Sequence, residues 1–159
     1  MSQFSRVTVE VDTATVVLER MVNATPEAVW RTLTDPAELA QWLAPASIGP
    51  SLGGEVSIEF AADETVTGAV TTWDPPSRLA YTWGIAGEAM SHVTFELVGR
   101  DSKTLIRLTH ERLPATMAAG YGAGWHAHGD QLVAVIGGTE IPEWDVVFSA
   151  VLPHYSDAT

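Results

Sequence analysis

Leu18-Glu19-Arg20-Met21-Val22-Asn23-Ala24-Thr25-Pro26-Glu27-Ala28-Val29-Trp30-Arg31-Thr32-Leu33-Thr34-Asp35-Pro36-Ala37-Glu38-Leu39-Ala40-Gln41-Trp42 is the stretch that decides the architecture, because within it a strand gives way to two short helices. Val16, Leu18 and Val22 share one face of an alternating strand, since side chains in a strand repeat every second residue. Thr25 reads as an N-cap with Pro26 at the first helical position, where a missing N–H costs nothing. Glu27 places negative charge in the first turn, and Val29, Trp30 and Leu33 form the apolar stripe. Asp35-Pro36 repeats the capping chemistry and opens a second helix with Leu39, Trp42 and Leu43 on its buried side.

Beyond Trp42 the chain reads as strand after strand. Gly53-Gly54 leads into Glu55 to Phe60, which alternates polar and apolar residues. Asp63-Glu64 turns the chain into a β-branched run from Thr65 to Trp73, and Asp74-Pro75-Pro76-Ser77 enforces the next turn. Leu79 to Trp83, His92 to Val98 and Thr104 to Glu111 complete the series, and the short spacings favour an antiparallel meander. Pro114 ends it. From Ala115 to Ile136 the period becomes helical, with Met117, Tyr121, Trp125, His128 and Leu132 on one side, until Gly137-Gly138 stops the helix. A last amphipathic stretch has Pro142 at a helix start and Trp144, Val147, Phe148 and Val151 as its stripe, ending at Pro153. It is expected to pack near the mouth of any cavity the fold encloses. The sum is an α+β sandwich.

Composition narrows the function classes. The 159 residues are 46% hydrophobic, enough for one well-buried core and too few for two ordinary domains. The net charge of −12, with the acids scattered, argues against nucleic acid and against an anionic membrane surface as partners. Without cysteine the chain has neither disulfides nor thiolate nucleophiles or metal ligands. Met1 to Arg6 lacks the apolar core of a signal peptide and no run of about 18 apolar residues occurs, so a cytoplasmic protein is expected.

Ten short motifs occur in a fixed order: Ala24-x-Pro26-x-x-Val29-Trp30, Thr34-Asp35-Pro36, Trp42, Gly53-Gly54, Gly68-x-Val70, Asp74-Pro75-Pro76, Leu79-x-Tyr81-x-Trp83, Val93-Thr94-Phe95-x-Leu97, Leu108-Thr109-His110 and Gly124-Trp125. This order resembles the START-like (SRPBCC) superfamily, and within it single-domain relatives of the heat-shock-protein-90 ATPase activator C-terminal domain family. The resemblance covers about residues 14–138, and 139–159 read as a C-terminal extension of one START-like domain spanning 1–159. It implies a helix-grip (Bet v-type) fold. In that fold a curved antiparallel sheet, two short helices and one long C-terminal helix enclose a cavity. It implies no cofactor and no particular reaction, because the superfamily spans hormone binders, polyketide cyclases and co-chaperone domains.

Strand parity nominates residues for that cavity. Val56, Ile58 and Phe60 face one way, as do Val93, Phe95 and Leu97, while Thr104, Ile106, Leu108 and His110 share the apolar parity of the last strand. His110 reads either as a core histidine satisfied by a carbonyl or as a ligand-contacting, acid–base group. Arg20 has the parity of Leu18, and would either pair with a carboxylate or receive an acidic ligand group. Tyr81, Trp83, Tyr121 and Trp125 supply apolar walls with polar edges, and His128 lies on the same helix face. Gly129 stands where the family usually carries a large aliphatic residue, which implies either an enlarged cavity beneath it or a merely tolerated glycine. His126 and His128 lie about 200° apart on a helix and cannot share an ion, whereas His126 and Asp130 face one another; no metal site is expected.

Three function classes follow. The first is binding of a small, largely hydrophobic molecule, with Arg20, Tyr81, Trp83, Phe95, His110, Tyr121, Trp125, His128 and Gly129 as contacts. The second is an aromatase/cyclase-type enzyme in which His110 or Tyr121 moves protons. The third is a co-chaperone-like ATPase activator acting through its surface. The activator carries an additional N-terminal domain for that task, for which this chain leaves no room. A homodimer is left open.

Overall fold

Thr25 behaves as its chemistry dictates: its Oγ1 accepts the Ala28 N–H at 3.3 Å, opening α1 (Pro26–Thr34). Asp35 then does two jobs. Its backbone N–H bonds the Arg31 carbonyl to close α1, and its side chain accepts the Ala37 N–H to open α2 (Pro36–Trp42). Trp42 locks the pair, burying its ring and donating Nε1–H to the Thr32 carbonyl at 2.8 Å. In this computed structural model residues 3–158 are described; Met1 and Ser2, which open the segment read for a leader, lie outside the described residues, as does Thr159.

The strands are β1 (Arg6–Val9), β2 (Thr13–Val22), β3 (Ala46–Ile48), β4 (Glu55–Ala61), β5 (Glu64–Asp74), β6 (Arg78–Trp83), β7 (Ser91–Arg100) and β8 (Lys103–Pro114). They form one antiparallel sheet in the order β1-β2-β8-β7-β6-β5-β4-β3. β4 to β8 confirm the meander. The short strands β1 and β3, which widen the sheet at its two edges, escaped the sequence reading. Gly68 fits a close approach that any side chain would prevent, since a Cβ there would lie 1.9 Å from the Thr82 carbonyl oxygen.

The expected long helix needs trimming at its start. Residues Ala115–Met117 form one tight 3₁₀ turn, and α3 proper spans Ala118–Gly137, ended by Gly138 in the left-handed region. Across the concave face of the sheet α3 packs on β2 and covers a core that includes Val16, Ile58, Leu79, Phe95 and Leu108. The C-terminal helix also differs from expectation: α4 runs Trp144–Ala158, beginning two residues after Pro142 and passing through Pro153. The N–H that proline lacks would have gone to Ser149, an exposed residue whose carbonyl can turn to water instead. Among the described residues no helix is long and apolar enough to cross a membrane.

Candidate functional site: an aromatic cavity beside the long helix

Trp83 ends β6 and Tyr121 sits in the second turn of α3, so sheet and helix meet through two aromatic rings, 6.5 Å between centroids. The Trp83 indole donates Nε1–H to the Tyr121 hydroxyl at 3.3 Å, and that hydroxyl donates to Glu88 Oε1 at 2.9 Å. Trp125, one helical turn on, donates its Nε1–H to His110 Nδ1 at 2.9 Å. An indole nitrogen can only donate, so His110 Nδ1 carries no proton and the neutral ring is the Nε2–H tautomer. Nε2–H therefore faces Ser91 Oγ at 2.8 Å, and Ser91 donates on to the Trp83 carbonyl at 3.4 Å. Trp125, His110, Ser91 and Trp83 are thus one relay of hydrogen bonds.

These rings wall a cavity of about 960 Å³. Its floor and sides are Trp42, Phe60, Trp83, Tyr121, Trp125 and His128, with Trp144 of α4 at the edge. Asp63 of the β4–β5 turn, Glu64 at the start of β5, Glu88 of the β6–β7 loop and Asp145 of α4 supply its charges. His128 holds its ring by Nδ1, 3.1 Å from the Trp42 carbonyl; a carbonyl only accepts, so Nδ1 is the protonated nitrogen and Nε2 is an acceptor. Burial drives the His128 pKa down to about 4, against the opposing pull of the Trp42 carbonyl and Gln131, so the ring is neutral near pH 7.

Of the nominated residues, Trp83, Tyr121, Trp125 and His128 line this cavity. His110 does not. It points inward as parity required, yet it is fully buried behind Trp83, Tyr121 and Trp125, with centroids 5.0, 5.0 and 6.0 Å away. Burial, with like-charge repulsion from His92 added, pushes its pKa down to about 3. A neutral ring with both nitrogens engaged positions the wall and is poorly placed to exchange protons with a ligand. Tyr81 is also in the core, 6.2 Å from Phe95, and burial raises its pKa.

Arg20, Phe95 and Gly129 surround a different space, a void of about 10 Å³ under α3. The enlarged cavity expected beneath Gly129 is absent: a Cβ there would fall 2.6 Å from Leu18 Cδ2, so this glycine lets α3 approach β2 closely. Arg20 makes the ion pair that was one of its two readings, 3.3 Å from Asp130 Oδ1 on α3, and donates to the carbonyls of Gln3 and Glu19 at 2.5 and 2.9 Å. His126 and Asp130 do face one another, Nε2 to Oδ2 3.7 Å, and no cluster of three or more potential metal ligands exists among the described residues.

Glu88, Asp63, Glu64, Asp145 and Trp42 were not nominated. Glu88 and Asp63 sit in turns and Asp145 at a helix start, where strand parity says nothing about direction, and Glu64 is the first residue of β5, beside a turn. Phe60 carried a signal, sharing the parity of Val56 and Ile58, and so did Trp144, on the stripe of the last helix.

Known structures share this architecture. CalU16 from Micromonospora echinospora superposes with a TM-score of 0.80 at 21% identity over 98% of both chains. Protein MLL2253 from Mesorhizobium loti gives 0.74 at 28% identity, covering 79% of this chain and 98% of its own. PFC0360w, an HSP90 activator from Plasmodium falciparum, gives 0.55 at 22% identity, with 63% and 74% covered. No curated protein sequence matches the chain. The family model AHSA1, Activator of Hsp90 ATPase homolog 1-like protein, matches residues 23–137, and with more than two thirds of its length so matched the chain belongs to that family.

Proposed function

We propose that this chain binds a small, largely hydrophobic molecule in the cavity between the sheet and α3. The observation that carries the reading is the cavity itself: about 960 Å³ is near the upper end of small-molecule sites, roughly 300–1,000 Å³, and its walls are indole, phenyl and phenol rings. Four rings already held by hydrogen bonds or packing make a preformed surface, so a ligand need not order it. Native mass spectrometry of freshly purified protein should retain a small molecule. Titration of that molecule should alter tryptophan fluorescence, and Trp83→Leu should weaken it about tenfold by removing the central ring. Affinity unchanged in Trp83→Leu protein would place the ligand elsewhere.

The enzyme alternative, an aromatase/cyclase type, would use the same cavity, and its proton-moving pair would be Tyr121 with Glu88 rather than His110. Turnover of a bound molecule by the unmodified protein, lost in Tyr121→Phe, would replace the binding reading with that one. The co-chaperone alternative predicts stimulation of a purified chaperone's ATPase by protein whose cavity is blocked.

A further inference from the structure

We infer that the ligand is a cationic amphiphile, an apolar body carrying a protonated amine that rests against the Glu88 carboxylate and the rings of Trp83 and Tyr121. The inference deepens the binding reading and rests on it.

The donors decide the sign of the ligand's charge. The Trp83 N–H is spent on Tyr121, the Tyr121 O–H on Glu88, the Trp125 N–H on His110 and the His128 Nδ1–H on the Trp42 carbonyl. What these side chains leave for a ligand is ring faces, the His128 Nε2 lone pair and carboxylate oxygens, to which Trp144 at the edge adds one indole N–H that has no hydrogen-bond partner. Neutral donors such as that indole N–H and the Gln131 amide, with no lysine or arginine beside them, do not neutralise an anion, whereas ring faces and carboxylates suit an ammonium, which brings several N–H groups and is attracted to aromatic faces.

The carboxylates point the same way. Half-buried Glu88 has no cation in ion-pair range among the described residues, whereas Glu19 has Arg107 at 2.8 Å and Asp130 has Arg20 at 3.3 Å. A partly desolvated carboxylate without a counter-charge gains from one. None of the chain's eight lysines and arginines lines the cavity, while Asp63, Glu64 and Asp145 do. With 20 acids to 8 bases that count alone decides little; the position of Glu88, hydrogen-bonded into the aromatic wall, is what selects a cation. The Tyr121 phenol is held above its ordinary pKa by burial first and then, against the Trp83 hydrogen bond, by Glu88 and Glu64.

Three fluorescent probes test this: dansylcadaverine, its N-pentyl analogue lacking the amine, and the analogue ending in a carboxylate. At pH 7 and low salt the ammonium probe should bind about tenfold more tightly than the pentyl probe, and the carboxylate probe most weakly. Glu88→Gln keeps an acceptor for the Tyr121 hydroxyl, so the wall stays intact; it should cut the preference for the ammonium over the pentyl probe to about twofold. Pentyl and ammonium probes binding alike to the unmodified protein would overturn the cationic class and leave the binding reading standing. Failure of all three to bind would count against both. An ammonium preference undiminished in Glu88→Gln protein would remove Glu88 from the assignment.

Discussion

His126 and His128 lie two positions apart on α3 and serve opposite sides of it, and the two sides are finished differently. Around His126 the polar groups close on one another. Its Nδ1 is 2.9 Å from the Tyr155 hydroxyl, which accepts the Ser5 N–H at 2.6 Å, and its Nε2 faces Asp130, which in turn holds Arg20. Phe4 stacks on His154 at 3.9 Å beside them, so the N-terminal segment, β2, α3 and α4 are clasped in one network. Around His128 the donors of Trp83, Tyr121, Trp125 and His128 itself close within the wall, the Trp144 N–H is left without a partner, and the carboxylates of the rim face a cavity. In the clasp the Arg20 Nε–H also goes unmet, but its space is filled; the cavity is a surface with carboxylates, ring faces and an indole donor left over. Reading the two together separates a helix's structural duty from its receptive one.

The largest effect expected of this asymmetry is on stability in acid. His128 in the cavity wall and His110 sealed behind it have folded pKa values of about 4 and 3, below the ordinary 6.5 of a histidine in the unfolded chain. Above pH 6.5 both are neutral in either state and cost nothing. As pH falls below 6.5 the unfolded chain takes up the two protons while the folded one refuses them, until the folded pKa values are reached. Stability should therefore drop by about 1.4 kcal/mol per pH unit for each proton between roughly pH 6 and 4.5. On the clasp side His126 is also lowered by burial, and Asp130 pulls it back. Urea midpoints at a series of pH values should show the loss, with a shallower slope in His128→Gln; a flat profile from pH 7 to 5 would break the account of a wall held by neutral rings.

Asp130→Asn attacks the other side. It removes the charge from a pair in which Arg20 is only 7% exposed, and breaking a buried pair typically costs about 3–5 kcal/mol. Two carbonyls still accept from Arg20 and Asp130 is partly exposed, so the lower figure, about 3 kcal/mol, is expected in denaturant unfolding. Binding of the pentyl probe should not change, because the clasp shares no wall with the large cavity. A matching loss of affinity would mean that the two sides of α3 are coupled and that their separation is only geometric.

Most of the fold was legible because its signals are local and chemical. Thr25 and Asp35 can cap only by starting helices, and the alternation in β4, β7 and β8 identifies the inner face of the sheet residue by residue. β1 and β3 were not legible: four and three residues long, they sit at the edges and carry too few alternations to stand out. Pro153 misled because a proline stops a helix only where the orphaned carbonyl lacks another partner. For the site, parity gave direction without depth. It placed Tyr81, Phe95 and His110 inward, and nothing in a strand pattern says which inward residue reaches a cavity and which is sealed behind another ring. Glu88 was invisible for a different reason, being set by the path of a loop.

Gly129 gives the smallest and sharpest test. Its position in the family pattern suggested space, and the structure shows contact, with Leu18 Cδ2 2.6 Å and Arg20 Nε 3.6 Å from where a Cβ would be. In Gly129→Ala the helix gains about 1 kcal/mol of propensity, offset by moving Leu18 toward a void of only about 10 Å³. Near-neutral stability is expected. Gly129→Leu cannot be absorbed by that void, and overpacking of this kind costs about 1–3 kcal/mol, so its urea midpoint should fall although leucine is the better helix former. Neither change should alter probe affinity, since the α3 face that lines the large cavity carries Tyr121, Gly124, Trp125, His128 and Gln131, and Gly129 does not line it. If Gly129→Leu left stability intact and abolished binding, the ligand would sit under the middle of the helix after all, and the aromatic cavity would lose its claim.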